Sequence, residues 1–292
     1  MVPLTFSRRA ILRMVPAFAL QGAPIAFAGT ESAVQQFRTI EFGIGGRLGV
    51  AALDTGSGRR LAYRGEELFA MCSTFKFLLA ACILKRADAK AENLNRRISY
   101  SQKDLLVYAP VTRAHVQEGS LTVGELCAAA VEVSDNTAAN LLLEQVGGPA
   151  GLTDFIRTLG NRVTRLDRTE PDLNSALPGD PRDTTSPIAM VESMEKLLTG
   201  EVLSAVSRKQ LAAWMEKCST GSKRLRAGIP ADWRAGDKTG TGARGAMGDI
   251  GIFWPPARSP ILVAAYVMEG DATAEQREQG IAAVGRIVSQ TL

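Results

Sequence analysis

The segment from Ser73 to Lys90, STFKFLLAACILKRADAK, contains neither glycine nor proline and is rich in alanine, leucine and lysine. This composition predicts a helix. Helical patterns then continue to about residue 216. One begins with the capping box Thr122-Val-Gly-Glu125, and another runs from Asn136 to Gln145 and ends before two glycines. The middle of the chain is therefore predicted to be helical.

Strand patterns lie on both sides of this helical middle. A short helix at residues 31–40 is followed by two apolar runs that flank a glycine-rich turn, which is typical of a β-hairpin. Three more strand patterns and a last helix follow residue 230. The strand segments are residues 47–53, 60–63, 234–239, 248–254 and 261–268. The sequence therefore predicts an α+β fold, with one antiparallel sheet built from the N- and C-terminal segments, flanked by helices, and an all-α domain inserted between them.

This interpretation divides the chain at two places. We expect an α/β domain at residues 29–70 and 216–292 and an all-α domain at residues 71–215, with the active site in the cleft between them. A polar stretch at residues 161–187 is too long for an ordinary connection, and loops of that length are usually functional or disordered.

The first 28 residues have the composition of an export signal. The segment starts with the basic residues Arg8, Arg9 and Arg13 and continues as an apolar stretch that ends in Ala26-Phe27-Ala28. Its Ser7-Arg8-Arg9 resembles a twin-arginine signal. Three of the 34 basic residues and none of the 30 acidic residues lie there, so the mature chain carries 31 basic and 30 acidic residues. We expect a periplasmic or secreted protein with no nucleic-acid partner and no membrane association after cleavage.

Cysteine and histidine content restricts the chemistry. None of the four cysteines, Cys72, Cys82, Cys127 and Cys218, shows C-x-x-C spacing, and His115 is the single histidine. A zinc site of the usual type is therefore not expected, and no cofactor is implied. A Ser-His-Asp triad would have to use His115, and no G-x-S-x-G motif presents a serine to it. We interpret His115 as a surface or packing residue.

Ser73-Thr-Phe-Lys76 places a hydroxyl and an ammonium three residues apart, on one helix face. A serine becomes a nucleophile when a neighbouring base takes its proton, and a lysine is such a base when burial lowers its pKa. The spacing alone is weak evidence, because Ser193-Met-Glu-Lys196 shows it too, on a helix without comparable partners.

Two further motifs follow in the chain. Ser134-Asp135-Asn136 lies between two predicted helices, where each residue type also suits a helix N-cap. Lys238-Thr239-Gly240 lies on a predicted strand, where an edge lysine followed by glycine needs no functional reason. The order S-x-x-K, S-D-N, K-T-G is that of class A β-lactamases and penicillin-binding proteins.

The chain resembles the class A β-lactamases over nearly its whole mature length. The resemblance is most specific at residues 71–77, 133–143 and 237–242. It implies hydrolysis of penicillins or cephalosporins, and hence antibiotic resistance. Two alternatives remain open. A D-Ala-D-Ala peptidase shares the three motifs, and a β-lactam sensor domain would bind without turnover but would need a membrane-spanning signalling segment.

The resemblance assigns catalytic roles. It makes Ser73 the nucleophile, Ser134 the proton relay to the leaving nitrogen, Lys238 a source of positive potential, and either Lys76 or Glu170 the acylation base. Glu170-Pro-Asp-Leu-Asn174 matches the family's active-site loop, at about residues 165–183, in which Glu170 and Asn174 hold the deacylating water. It also implies a cis bond before Pro171.

Further residues are implied around the substrate. The resemblance places Tyr108 at the cleft mouth and Asn136 and the Thr241 carbonyl on the acylamide side chain. It also implies that Thr239 helps to hold the substrate carboxylate and that Gly240 belongs to the substrate-binding residues. The N–H groups of Ser73 and Thr241 would form the oxyanion hole. Many relatives carry a carboxylate-binding arginine where this chain has Met247. A subset carries it at the position of Arg224, which we expect to reach into the cleft beside Lys238 and Thr239, with Arg226 pointing elsewhere.

Three structural details complete these expectations. Arg168 and Asp183 match an ion pair that joins the ends of the loop. Relatives form disulfides at the position of Cys127 or of Cys72, but the partner positions here are Ala80 and Gly242. We expect neither bridge, and the family default is a monomer.

Overall fold

The computed structural model describes residues 1–3 and 25–292. The expected export signal at residues 1–28 therefore lies mostly outside the described residues. The first helix begins at Ile25, upstream of the expected cleavage point, and is longer than the helix that the sequence indicates at residues 31–40. Among the residues described, no helix has both the length and the apolar character needed to cross a membrane.

The long strands lie toward the two ends of the described chain, and most of the helices lie between them. The α-helices are α1 Ile25–Ile44, α2 Phe75–Asp88, α3 Pro110–Ala114, α4 Val123–Glu132, α5 Asn136–Gln145, α6 Gly148–Thr158, α7 Pro187–Leu198, α8 Ala205–Glu216 and α9 Ala274–Thr291. The strands are β1 Arg47–Asp54, β2 Arg60–Tyr63, β3 Phe69–Ala70, β4 Arg97–Ser99, β5 Ser120–Thr122, β6 Thr184–Thr185, β7 Arg234–Thr241, β8 Met247–Trp254 and β9 Ile261–Met268.

The main sheet has five antiparallel strands in the order β2-β1-β9-β8-β7. Strand β1 pairs with β9 from Arg47 opposite Met268 to Asp54 opposite Ile261, so the N- and C-terminal segments lie side by side. Every residue of β9 is buried, as expected for an apolar strand that is covered on both faces. The predicted α+β fold with a sheet from both chain ends is confirmed.

Two layers of helices cover the sheet. Helices α1 and α9 pack on one face, in a cluster that includes Phe37, Val263 and Val284. The other face packs against the helices of the middle of the chain, in a larger cluster that includes Leu53, Leu79 and Tyr266. Helix α2 is central to this second layer, because its first ten residues, Phe75 to Leu84, are all buried.

Local capping signals fix the helices that carry the motifs. The capping box at Thr122 forms as predicted, since its hydroxyl accepts from the Glu125 N–H while the Glu125 carboxylate accepts from the Thr122 N–H. Asp135 caps α5 by accepting from the Ala138 N–H. The S-D-N segment is therefore a helix cap, as its composition allows, and this capping holds Ser134 and Asn136 in place.

Two short strand pairs were not predicted from the sequence. Strand β3 pairs with β6, and β4 with β5. Runs of two or three residues are too short to show a periodicity of two. The β3–β6 pair matters for the site, because it joins the segment before α2 to the end of the polar loop, where the Met71 N–H also donates to the Asp183 carbonyl.

The cysteines, the single histidine and the second S-x-x-K match have contacts that packing explains. All four cysteines are buried free thiols. His115 is exposed and contacts Glu118, so its interpretation as a surface residue is confirmed. In the second S-x-x-K match, the Ser193 hydroxyl donates to the Ala189 carbonyl of its own helix, and Lys196 contacts the Leu159 carbonyl. That serine and that lysine serve packing.

Candidate active site

A cavity of about 330 Å³ opens between β7 and the helices of the middle segment. It is lined by polar side chains from six separate parts of the chain. These are Ser73, Tyr108, Ser134, Asn136, Asn174, Thr220, Arg224, Thr239 and Thr241. All but Thr220 were predicted from the sequence to belong to the site.

Ser73 lies on a 3-10 turn that leads directly into α2. Its hydroxyl donates to Glu170 Oε1 at 3.2 Å, and Lys76 Nζ lies 3.0 Å from the same oxygen. The Lys76 and Glu170 side chains are both fully buried. A hydroxyl, an ammonium and a carboxylate therefore meet at one buried oxygen, Glu170 Oε1.

Lys76 also donates to the Ser134 carbonyl at 2.9 Å and to Asn136 Oδ1 at 2.5 Å, and it approaches Ser134 Oγ at 3.3 Å. Burial lowers the pKa of Lys76, and the Glu170 carboxylate opposes that change only in part. A lowered pKa makes the neutral amine, and therefore a base, more accessible.

Ser134 stands between two lysines. Lys238 Nζ donates to Ser134 Oγ at 3.0 Å and to the Thr239 carbonyl at 2.7 Å, while Lys76 approaches the same hydroxyl from the other side. Burial, together with the neighbouring Lys76, lowers the pKa of Lys238 to about 8. Ser134 has a φ of 61°, in the left-handed region that few non-glycine residues adopt.

The polar loop presents Glu170 with both its backbone and its carboxylate fixed. Asn140 on α5 donates to the Glu170 carbonyl at 2.9 Å and accepts from its N–H at 3.0 Å. Asn174 Nδ2 donates to Glu170 Oε2 at 2.5 Å. The bond between Glu170 and Pro171 is cis, as the family resemblance implies.

The ends of this loop are joined by a buried ion pair. Arg168 Nε lies 2.6 Å from Asp183 Oδ2, and Asp183 Oδ1 also accepts from the N–H groups of Asp167 and Arg168. The Asp183 side chain is fully buried. The pair that the resemblance implies is present, and it closes the loop across 15 residues.

Strand β7 forms the opposite wall. A side chain at Gly240 would place its Cβ 2.6 Å from the Met71 carbonyl and 3.2 Å from the Ser73 nitrogen. Only glycine permits so close an approach, which brings the K-T-G strand against the turn that carries Ser73. The two walls of the cavity therefore meet at this position.

Arg224 enters the cavity wall from the segment before β7 and is 6% exposed. Its Nη1 donates to the Gly240 and Gly248 carbonyls, both at 2.9 Å, and its Nη2 donates to Thr241 Oγ1 at 2.7 Å. Arg224 lines the same cavity as Thr239, so it reaches into the cleft as expected. Its guanidinium hydrogen bonds go to Gly240, Gly248 and Thr241 of strands β7 and β8.

Arg226 points elsewhere, as expected. Its guanidinium lies 2.9 Å from the fully buried Asp237 carboxylate. The residue is therefore a poor mutational control for Arg224, because its removal would leave a buried carboxylate without a cation. Lys223 is adjacent to Arg224 and exposed, which makes it the better control.

Tyr108 and Asn136 lie at the mouth of the cavity. Tyr108 is half exposed, and its hydroxyl donates to the Val133 carbonyl at 3.1 Å. The Asn136 N–H donates to the Tyr108 carbonyl at 3.0 Å. This contact fixes the S-D-N turn against the aromatic residue.

Comparisons with known proteins agree over nearly the whole chain. The sequence pattern of the beta-lactamase enzyme family matches residues 32–292. Beta-lactamase OXY-2 of Klebsiella oxytoca is 42% identical over 278 residues, which is 95% of each chain. A carbapenem-hydrolyzing beta-lactamase KPC of the same organism is 44% identical over 290 residues, covering 99% of this chain and 98% of that one. A solved ancestral class A beta-lactamase is 56% identical, covers 89% of this chain and all of its own, and has a TM-score of 0.88.

The chain belongs to the class A β-lactamases. Two residues of this β-lactamase site were missed by the sequence analysis. Asn140 is four residues after Asn136 and shares its helix face, so a signal was available. Thr220 lies in an irregular segment after α8, and nothing in the sequence pointed to it.

Within residues 25–292 of this β-lactamase, no three histidine, cysteine, aspartate or glutamate side chains come together as a metal site would require. Burial raises the pKa of the Cys72 thiol beside the active site to about 12, with the Glu170 carboxylate adding to the rise. A thiol is therefore present there rather than a reactive thiolate.

Proposed function

We propose that this enzyme opens the β-lactam ring of penicillins and cephalosporins through an acyl-enzyme on Ser73, which a Glu170-activated water hydrolyses. The observation that carries the proposal is the shared contact at Glu170 Oε1, which lies 3.2 Å from the Ser73 hydroxyl and 3.0 Å from Lys76 Nζ inside a buried site. A hydroxyl with a base at hydrogen-bond distance is the arrangement that nucleophilic catalysis requires.

Acylation begins with attack of Ser73 Oγ on the lactam carbonyl. Glu170 receives the serine proton across the 3.2 Å contact, or Lys76, whose Nζ lies 3.0 Å from the same carboxylate oxygen, receives it as a neutral amine. The N–H groups of Ser73 and Thr241 hold the developing oxyanion, and one such donor contributes roughly 3–4 kcal/mol to the transition state.

Ring opening then needs a proton for the departing nitrogen. Ser134 supplies it, because its hydroxyl lies in the cavity between Lys76 and Lys238. The two ammonium groups favour the alkoxide form of Ser134 while its proton moves and allow a proton to return from either side.

The substrate is held by charge and by amide contacts. Arg224 and Thr239 line the end of the cavity that receives the substrate carboxylate, and the buried Lys238, which contacts Ser134 and Thr239, adds positive charge there. At the other end, Asn136 and the Thr241 carbonyl bind the acylamide group, and Tyr108 covers the mouth.

Deacylation uses the fixed loop. Glu170 Oε1 faces Ser73, and Asn174 holds Oε2 at 2.5 Å, so the carboxylate presents one oxygen toward the ester carbon. A water between Glu170, Asn174 and Ser73 loses its proton to Glu170 as it attacks the ester.

The loop favours hydrolysis over the two alternatives. A D-Ala-D-Ala peptidase shares S-x-x-K, S-D-N and K-T-G but lacks the Glu170 loop, so its β-lactam adduct hydrolyses slowly. A sensor domain would bind one β-lactam and keep it. In this chain, Asn140, Asn174 and the Arg168–Asp183 pair all fix Glu170 beside Ser73.

Steady-state hydrolysis of the chromogenic cephalosporin nitrocefin tests the proposal. A β-lactamase gives many turnovers per active site, and Ser73→Ala abolishes them. A single stoichiometric burst from the unaltered enzyme would identify a penicillin-binding protein or a sensor instead.

We also propose export to the periplasm or exterior, where residues 1–28 are removed and the enzyme confers β-lactam resistance. The basic start, the apolar stretch and the A-x-A pattern support this proposal. The N-terminal sequence of the protein recovered from the periplasm should begin after Ala28.

A further inference from the structure

Thr220 supplies a hydroxyl to the cavity that no motif accounts for. Its Oγ1 lies 2.5 Å from Thr239 Oγ1, and on its other side it lies 3.3 Å from the buried Cys218 sulfur. Thr220 lines the same cavity as Thr239. The three residues form a chain of hydrogen bonds that ends at the K-T-G threonine.

The direction of donation in these two hydrogen bonds follows from how strong each acceptor is. Each hydroxyl carries one proton, and a sulfur is a weak acceptor compared with a hydroxyl oxygen. The Thr220 proton is therefore better placed on Thr239 Oγ1 than on Cys218. Thr239 is 5% exposed and lines the cavity, so once its oxygen accepts from Thr220 its own proton is left for a group in the cavity.

The neighbouring threonine shows the same arrangement. Thr241 Oγ1 accepts from Arg224 Nη2 at 2.7 Å, so its proton also points away from the wall. Lys238 Nζ donates to Ser134 and to the Thr239 carbonyl, and Arg224 Nη1 donates to two carbonyls. These N–H groups of Lys238 and Arg224 thus donate to other groups of the protein. The hydroxyls of Thr239 and Thr241 keep their protons for a group in the cavity.

We infer that Thr220 is a positioning residue, which orients the Thr239 hydroxyl so that it donates to the carboxylate of an anionic β-lactam. The inference rests on the proposed function and adds a residue to it. Thr220 acts through Thr239. An anion in the cavity accepts from the Thr239 hydroxyl and so favours donation from Thr220 to Thr239, the direction that the acceptors already prefer. A chain of aligned donors also strengthens its last hydrogen bond.

Two substitutions separate this role from packing. Thr220→Val keeps the shape of the side chain and removes the hydroxyl, whereas Thr220→Ser keeps the hydroxyl. With benzylpenicillin, we expect Thr220→Val to raise KM about 3- to 10-fold and to leave kcat within about twofold, since the carboxylate takes no part in bond breaking. Thr220→Ser should lie within about twofold of the unaltered enzyme in both constants.

The substrate gives a second control. The methyl ester of benzylpenicillin has no carboxylate, so its kcat/KM should be the same for Thr220→Val and for the unaltered enzyme. An unchanged KM for benzylpenicillin in Thr220→Val would overturn the inference. Equal losses on acid and ester, or equal losses in Thr220→Val and Thr220→Ser, would show a structural role and overturn it too. An unaltered enzyme that fails to turn over benzylpenicillin would instead contradict the proposed function.

Discussion

We propose that Arg224 supplies the carboxylate-binding cation that this chain lacks at Met247, which is buried in the apolar core. The guanidinium holds the Gly240 and Gly248 carbonyls and Thr241, and its Nε, 3.8 Å from Glu278, has no hydrogen-bond partner. On this proposal it adds positive charge to the end of the cavity that receives the substrate carboxylate, and it also joins strands β7 and β8 there.

Substitution of Arg224 by alanine should mainly raise KM for penicillins. A hydrogen bond to a charged group contributes roughly 1.5–3 kcal/mol, so kcat/KM should fall about 10- to 150-fold. Steady-state kinetics with benzylpenicillin measure this, and Lys223→Ala, an exposed neighbour, should change little. Unchanged kinetics in Arg224→Ala would leave Lys238 as the main carboxylate anchor.

The lowered pKa of Lys238 predicts how kcat/KM depends on pH. Burial lowers its pKa to about 8, so the ammonium loses its proton as the pH rises through that value. The kcat/KM profile, which reports the free enzyme, should fall on its alkaline side with an apparent pKa near 8. Lys238→Arg keeps its charge and should move this alkaline fall upward by more than about one pH unit. If the alkaline fall in kcat/KM stays at the same pH in Lys238→Arg, the titrating group is another one, such as Lys76.

At the scale of elements, the loop at residues 165–183 depends on contacts at its two ends and on α5. Asp183 closes the base, and the two hydrogen bonds of Asn140 fix the backbone of Glu170. The Glu170 carboxylate is therefore positioned by residues that lie outside the lining of the cavity.

Arg168→Ala should destabilise the protein and slow deacylation. It leaves the fully buried Asp183 carboxylate without its cation, a change that costs roughly 3–5 kcal/mol in buried pairs. In a domain of this size, the lower end of that range corresponds to a fall in Tm of roughly 6–12 °C. Thermal unfolding followed by circular dichroism measures it.

The exposed Arg182 is the matched control for this prediction. It forms a 2.8 Å pair with Asp180 in the same loop, and its side chain is half exposed. Exposed pairs contribute roughly 0–1 kcal/mol, so Arg182→Ala should leave Tm nearly unchanged. Equal Tm values for the two variants would show that the loop does not depend on the buried pair.

Elements with a long, regular pattern could be predicted from the sequence. The helices α2, α4 and α5 and the strands β7 to β9 lie within a few residues of the expected bounds. The pairs β3–β6 and β4–β5 could not be predicted, because strands of two or three residues form only when tertiary contacts bring their partners together.

The site was predictable to the extent that its residues lie in motifs. Ser73, Ser134 and Lys238 carry motif signals, whereas Thr220 meets Thr239 only across 19 residues of folded chain. Asn140 meets Glu170 across 30 residues. Such hydrogen bonds depend on how the helices and the sheet pack. The shared helix face with Asn136 points to Asn140, but no local pattern reports its contact with Glu170 or that of Thr220 with Thr239.

At the scale of the whole molecule, the sheet joins the chain ends and thereby positions one wall of the site. Pairing of β1 with β9 completes the sheet, and β8 and β7 extend it toward the cavity. Gly240 then brings β7 against the turn that carries Ser73. Ser73 and the K-T-G strand meet because helices from the middle of the chain pack on a sheet made from its two ends.

The central claim is that Glu170 releases the product from Ser73. The most direct test is the intact mass of Glu170→Ala after mixing with benzylpenicillin, with Lys76 left in place as a base for acylation. We predict a persistent adduct of one substrate mass on Ser73 and loss of steady-state turnover, and no adduct when Ser73 is also replaced by alanine. Normal turnover by Glu170→Ala, with no adduct on Ser73, would contradict the account.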